Sequence, residues 1–161
     1  MILTTAVPFT VIISRAMSET AGYIAEQSAR AQWPLQNSHT LGLQAKGVFD
    51  ELMAVAEECR TENWDAYGAV PMPQQTINYA YGFLAALPLG TPAPSVGAEP
   101  DGHLTLEWHC SPRRTLSVSV SPEGDLHYAA IIASNKAYGT EAFFGEVPQT
   151  ILYLISRVHA K

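Results

Sequence analysis

Histidine, glutamate and serine residues recur at two-residue spacing in the C-terminal half of this 161-residue chain. Glu107 and His109 lie in the segment HLTLEWHC, Ser117 lies in TLSVSV, and His127 lies in LHYAAIIA. These residue types can supply a general base, an orienting carboxylate and a nucleophile, and imidazole and carboxylate can also bind metal ions. Glu107, His109, His127 and Ser117 are therefore the candidate catalytic residues of a small hydrolase or a ligand-binding enzyme.

Strict alternation of apolar and polar residues predicts that these segments are strands with one wet face. A turn at SPRR would place Glu107 opposite Ser117 and His109 opposite Thr115. A hairpin at SPEGD would place Ser119 near His127. Directly opposed side chains come within ~5 Å of one another. The apolar residues of these strands would face the core, namely Leu104, Leu106, Trp108, Cys110, Leu116, Val118 and Val120.

A catalytic site on this face would lack two features that such sites usually have. A nucleophile normally lies on a strained turn with oxyanion donors, and the chain contains no Gly-x-Ser-x-Gly motif. Glu107, His109 and His127 supply three metal ligands at best, and no second motif supports a metal site. A solvated sheet face is the favoured interpretation, and a polar partner-binding surface is the next.

The order of the predicted elements indicates an α+β fold. Helical periodicity covers residues 41–60, a second helix starts at Pro73, and a third starts at Pro148. A linker rich in proline and glycine and a run of alternating strands lie between the last two. We predict that N-terminal helices and a C-terminal helix pack on one face of a three- to five-stranded antiparallel meander. Residues 1–40 would form a variable N-terminal arm with a short helix, and residues 41–161 a single α+β domain.

The segment ENWDAYGAVP, residues 62–71, predicts a corner that joins the first of these helices to the extended chain. Trp64 could cover the helix end, and Gly68 suits a positive φ. Aromatic residues here and on the second helix are more numerous than one helix face can bury. Trp64, Tyr67, Tyr79 and Phe83, together with His109, are therefore the candidate partner-binding residues. Glu99 and Asp101 are interpreted as turn formers of the EPDG segment.

Composition excludes several functions. The net charge is −6, the isoelectric point is about 5.2 and no cluster of lysine or arginine exists, so nucleic acid is not expected as a partner. Two cysteines without metal spacing predict a reduced, cytoplasmic protein with no metal and no cofactor. The apolar start, MILTTAVPFTVIISRA, lacks an early cation and is too short to span a bilayer, so no membrane is expected.

Two motifs resemble those of a widespread set of small bacterial proteins to which no activity is assigned. The motifs are the Trp-Asp-x-Tyr-Gly-Ala corner and the Pro-Asp-Gly turn that leads into Leu-Glu-Trp, and the resemblance covers roughly residues 43–158. It implies no catalytic residues. Proteins of this kind often belong to mobile elements, defence systems or toxin–antitoxin pairs.

The sequence thus favours a non-enzymatic protein-binding module. It would be a small acidic adaptor, inhibitor or antitoxin-like protein that occludes a protein partner, and a homodimer through a free strand edge is a further hypothesis. The alternative is the small hydrolase or ligand-binding enzyme that uses Glu107, His109 and His127.

Overall fold

A computed structural model of the protein describes residues 43–160, with side chains from residue 46 onward. The predicted N-terminal arm therefore lies outside the described residues. The elements are the helices α1 (Leu43–Glu58), α2 (Gln74–Ala86) and α3 (Gln149–His159) and the strands β1 (Ser95–Ala98), β2 (Leu104–Ser111), β3 (Arg114–Val120), β4 (Asp125–Ile132) and β5 (Asn135–Ala142). No helix among them is both long and apolar enough to cross a membrane.

The five strands form one antiparallel meander in the order β1-β2-β3-β4-β5. The register pairs Glu107 with Ser117, His109 with Thr115 and Ser119 with His127. These are the pairs that the turn positions in the sequence predict. The α+β class and the antiparallel sheet with helices packed on it are confirmed.

The core lies between the helices and the apolar face of the central strands. Alternate residues of β2, β3 and β4 are buried there, and α3 contributes one apolar stripe at helical spacing. Trp108 is buried in this layer, donates its Nε1–H to the carbonyl of Pro92 at 2.7 Å and meets the ring of Phe83 edge-on. The fully buried residues of the sheet and α3 include Leu104, Leu106, Leu116, Val118, Val120, Leu126, Ile151 and Val158.

Helix α2 is fixed to the sheet by a hydrogen bond and by aromatic packing. The hydroxyl of buried Thr76 donates to the carbonyl of Gly102 at 3.0 Å, at the turn between β1 and β2. Pro73 is the N-cap of α2 rather than its first helical residue. Helical spacing in the sequence predicts that the buried face of α2 is formed by Ile77, Ala80, Tyr81 and Leu84. This prediction is wrong in part, because Thr76 and Phe83 are buried while Tyr81 is half exposed.

The predicted burial of Cys110 is also wrong. The pairing of β2 with β3 is irregular between His109 and Ser111, where β2 has one extra residue. Cys110 is this extra residue, near the end of the sheet, and it is exposed although it continues the apolar series in the sequence and contacts His159 of α3.

The turn between β3 and β4 provides the first test of this packing. Gly124 has a φ of +89°, and a Cβ at this position would lie 2.9 Å from the ring of Tyr79. Gly68 has a φ of +97° with open space around it. Gly68→Ala should therefore cost only the backbone strain, about 1–2 kcal/mol, whereas Gly124→Ala should cost about 1–3 kcal/mol more because of the clash.

Urea unfolding of the two variants beside the wild-type protein measures both costs. Equal losses of stability would show that Tyr79 does not pack against this turn.

Candidate functional site

One face of the sheet is not covered by any described helix or strand. We call this surface the open face. Its side chains are mostly small or polar, and its rows run straight across β2, β3, β4 and β5. The open face consists of Thr105, Glu107, His109, Thr115, Ser117, Ser119, His127, Ala129, Ile131, Lys136, Tyr138 and Thr140.

The candidate catalytic residues share the open face but do not form one cluster. His109 Nδ1 lies 3.8 Å from Glu107 Oε1 and 3.0 Å from the hydroxyl of Thr115. His127 lies two strands away from Glu107 and in a different row, so roughly 10 Å of sheet separates their backbones. Ser117 is paired with Glu107 and Ala129, and no hydrogen bond joins it to a histidine of the described chain.

His127 instead stacks on His103. Their ring centroids are 5.8 Å apart and the planes differ by 8°. His127 Nδ1 lies 2.9 Å from the hydroxyl of Thr140, and His103 Nδ1 lies 3.3 Å from that of Ser119. Each imidazole therefore has a hydroxyl partner within the sheet. These bonds explain the positions of both histidines without a bound substrate. Alternation predicts their shared face, but stacking depends on rotamers that the sequence does not specify.

A second group of polar side chains surrounds the turn between β1 and β2. Glu99, Asp101 and His103 offer ligand atoms within 4.8 Å of one another, which suits a divalent cation. Two of them already serve the turn, since Asp101 Oδ1 accepts the His103 N–H at 3.2 Å and Glu99 accepts a hydrogen bond from the Thr105 hydroxyl. These bonds explain the cluster as the turn that its sequence predicts.

Cys110 and His159 meet at the C-terminal end of α3. Cys110 Sγ lies 3.3 Å from His159 Nδ1, and His159 Nε2 is buried with no hydrogen-bond partner among the described residues. Sequence spacing could not reveal this pair, because Cys110 and His159 belong to separate elements 49 residues apart. An imidazole beside a thiol is one component of cysteine nucleophiles, but no described residue orients this imidazole through Nε2.

The corner of residues 62–71 is a closed loop of backbone hydrogen bonds. Asn63 Oδ1 accepts the N–H of Gly68 at 2.7 Å, and its own N–H donates to the carbonyl of Ala69 at 2.8 Å. Asp65 Oδ1 accepts the N–H groups of Tyr67 and Ala69 at 2.8 and 3.0 Å. These two bonds lower the pKa of Asp65, the bond from Tyr67 most, because they stabilise the carboxylate.

Trp64 joins this loop to the core. Its ring is half buried against the core, and its Nε1–H donates to the carbonyl of Val70 at 3.0 Å. The N–H of Val70 in turn donates to the carbonyl of Pro100 in the β1–β2 turn. Trp64 thus has the structural role that the corner hypothesis gives it.

The remaining candidate partner-binding residues differ in their exposure. Tyr67 is 93% exposed and His109 is exposed, so both are accessible to a partner. Tyr79 is half buried over Gly124. Phe83 is fully buried against Trp108 and Phe143, so its assignment to a partner-binding surface is wrong, because α2 turns this residue into the core.

Tyr138 was not among the predicted site residues. It lies in the row of Glu107, Ser117 and Ala129 on the open face and is 82% exposed. Polar and apolar residues alternate in the segment AYGTEAFF that contains Tyr138. The sequence does not specify which face of this strand lacks a covering layer.

Truncation of Trp64 tests its structural role. Because the ring is half buried and hydrogen bonded, Trp64→Ala should lower the free energy of unfolding by about 2–3 kcal/mol. Tyr67→Ala is the matched control, since it removes an exposed ring from the same loop and should change stability by less than about 0.5 kcal/mol. Chemical denaturation checks both, and equal effects would contradict the assignment.

Protonation of Asp65 should weaken the corner. A carboxyl whose pKa is lower in the folded state stabilises the protein above its unfolded pKa, near the ordinary value of 3.8, and loses that effect as the pH falls through the folded value. Asp65→Asn should therefore lower the melting temperature near pH 7, and the gap from wild type should close as the pH falls below 3.8 and through the lower folded-state pKa. Asp50→Asn, on the exposed side of α1, is the control. A gap that persists in acid would contradict this account.

Comparison with known proteins adds no relative to this picture. No protein-family model matches the chain, and neither the curated proteins nor the solved structures include a match to it. The resemblance drawn from the Trp-Asp-x-Tyr-Gly-Ala and Pro-Asp-Gly motifs therefore stays a prediction. The function is inferred from the geometry of the described residues.

Proposed function

We propose that this protein is a non-enzymatic protein-binding module that occludes a protein partner with its open face. The observation that carries the proposal is the one-sided sheet, in which the described helices cover one face and leave a surface of four strands, β2 to β5, on the other. Small adaptors, inhibitors and antitoxin-like proteins of mobile-element or defence systems act in this way. That biological context rests on the resemblance alone.

Side chains on the open face suit contact with a large, flat partner. Ser117, Ala129 and Thr105 are short, so a partner can approach the backbone closely. Tyr138 and Ile131 add exposed apolar surface, and tyrosine is enriched where proteins bind one another. This surface offers a broad contact area rather than a deep concave site. Small-molecule sites are concave, so the open face suits a macromolecule better than a small substrate.

Separation of the titratable groups argues against the enzymatic alternative. A base, its orienting group and a nucleophile must lie within hydrogen-bond distance of one another. His127 is paired with Thr140 and stacked on His103, and the Glu107 carboxylate has His109 as its only charged partner among the described residues. A reaction on this face would have only the Glu107–His109 pair, without a pocket to exclude water.

Disruption of the open face tests the proposal. The tagged chain is recovered from its native host, and bound proteins are identified and quantified by mass. We expect one stoichiometric protein partner with the wild type. It should be lost with Ser117→Lys, which places a long charged side chain in the centre of the open face. Ala54→Lys, on the exposed side of α1, changes the net charge by the same amount and should retain the partner.

The double variant Glu107→Gln with His109→Ala separates binding from catalysis. On the binding proposal it keeps the fold, and any loss of the cellular effect is matched by a loss of the bound partner. Loss of the cellular effect with fold and partner retained would support the enzyme instead. Recovery of the bare protein by the wild type, or retention of the partner by Ser117→Lys, would overturn occlusion by the open face.

A further inference from the structure

The free edge of β5 is an unused strand-pairing surface. This strand pairs with β4 only, and no other described element lies against its backbone. It is eight residues long, contains no proline and keeps a regular register along its whole length. Every second residue of such an edge directs its N–H and C=O groups away from the sheet, ready to pair with another chain.

The opposite edge of the sheet is protected. Strand β1 has only four residues, and α1 lies beside it. The backbone N–H of Val96 donates to Glu51 Oε1 of α1 at 3.1 Å, so a side chain already occupies a position that an added strand would need. Short length and covering helices are the usual protections of an edge strand. Among the described elements, β5 has neither.

A cleft of about 150 Å³ lies between β5 and α3 on the helix side of the sheet. Ile132, Ala137 and Leu154 give it an apolar floor, and Tyr153, Lys136 and Arg157 lie around it. It is half open to solvent and has the size of one apolar side chain rather than of a small-molecule site. A strand added to β5 would direct alternate side chains towards this cleft.

Cations gather at the same end of the sheet. The pairing of Arg114 with Ile132, and the hydrogen bond from the Ala133 N–H to the Arg113 carbonyl, place the β2–β3 turn beside the β4–β5 turn. Lys136 and Arg157 adjoin them at the cleft, so two arginines and two further cations lie near one another. The amino-acid sequence shows no cluster of lysine and arginine, because three separate elements supply these four cations.

The other end of the sheet has the opposite charge. The β1–β2 turn contributes Glu99 and Asp101, and the β3–β4 turn contributes Glu123 and Asp125. None of the four cations at the cleft end lies within salt-bridge distance of a carboxylate in the described part of the chain. An anionic group at the cleft would therefore meet uncompensated positive charge on a protein whose net charge is −6.

We propose that the free edge of β5 binds an extended acidic peptide segment of the partner protein as a sixth, antiparallel strand. The proposal rests on the proposed function and names the chemical class of the partner. Backbone hydrogen bonds to β5 supply affinity, an apolar side chain fills the cleft, and a carboxylate on the open face meets Lys136. The bound strand extends the sheet beside Tyr138, so the rest of the partner continues over the open face.

A second copy of this chain fits the edge less well. Two β5 strands that pair antiparallel about a twofold axis place residues of the same face opposite one another. Lys136 would then face Tyr138, Thr140 or Ala142, none of which carries a negative charge. Nucleic acid is also disfavoured, because the acidic turns at the other end of the sheet would repel a long polyanion.

A defined peptide tests the proposal. The probe is a fluorescent decapeptide of alternating glutamate and valine, and its binding to the full chain is measured by fluorescence anisotropy. We expect saturable binding that weakens with added salt, and no binding of the lysine–valine counterpart. Lys136→Glu should weaken binding at least about tenfold. Arg60→Glu has the same charge change just after α1, which packs at the opposite edge of the sheet, and should leave binding unchanged.

Methylation of the peptide backbone tests strand addition without altering the protein. Peptide residues whose backbone hydrogen bonds to β5 have their side chains on the open face. The glutamates that face Lys136 therefore present their backbone amides to β5, and the valines enter the cleft. N-methylation of the glutamates should abolish binding, and N-methylation of the valines should not.

Several results would overturn the proposal: no binding of the probe, equal binding of both charge types, insensitivity to glutamate methylation, or tighter binding of a single-stranded DNA of equal charge. A stable dimer that excludes the peptide would instead assign the edge to a second copy. If the probe fails while a host partner still depends on Ser117, the edge proposal falls and the protein-binding function stands.

Discussion

The register of β2, β3 and β4 is the constraint on which the open face depends. Side chains alternate between the two faces of a strand, so a slip of one residue would exchange them all. Leu106 and Val118 would enter water, and Glu107 and Ser117 would enter the core. Each buried aliphatic side chain contributes about 1.5–3 kcal/mol, so exchanging several would cost more than the whole stability of a domain this size, about 5–15 kcal/mol. The polar rows are therefore held as firmly as the core.

The same register sorts the turns of the meander to opposite ends of the sheet. Consecutive hairpins must alternate ends, so the β1–β2 and β3–β4 turns share one end and the β2–β3 and β4–β5 turns share the other. The first pair of turns is acidic in sequence, and the second pair begins with Arg113 and Arg114 and ends next to Lys136. A chain with few cations thereby acquires a local positive field that its composition conceals.

Much of this fold could be predicted from the sequence, because its strands alternate strictly and its turns have clear residues. The pairs of Glu107 with Ser117 and Ser119 with His127 follow from two short hairpins. Phe83 and Cys110 could not be placed correctly for separate physical reasons. The face of α2 follows from tertiary contacts such as the bond from Thr76 to Gly102, and Cys110 lies in a bulge that periodicity does not show.

The site was less predictable than the fold, because exposure depends on which faces remain without a covering layer. Aromatic residues in the sequence suggested a surface on the corner and α2, yet Phe83 and Tyr79 serve the core and the β3–β4 turn. Tyr138 is the exposed aromatic of the open face, and its alternation resembles that of the buried strands. Local pattern determines that a residue is on a strand face, and only the assembled layers determine whether that face is wet.

The two edges of the sheet differ, so a partner can reach the open face along the β5 edge but not along the β1 edge. At β1 the helix α1 packs alongside and Glu51 occupies a backbone donor, so a partner approaching from that side meets a closed edge. At β5 the backbone is free, the cleft beside α3 is apolar, and the nearby charge is positive. A partner that engages β5 gains hydrogen bonds whose geometry is fixed by the strand, and these would set its orientation over Tyr138 and the short side chains beyond it. Selectivity would then come from the edge, and contact area from the face, because Ser117, Ala129 and Thr105 offer little chemistry with which to distinguish one partner from another.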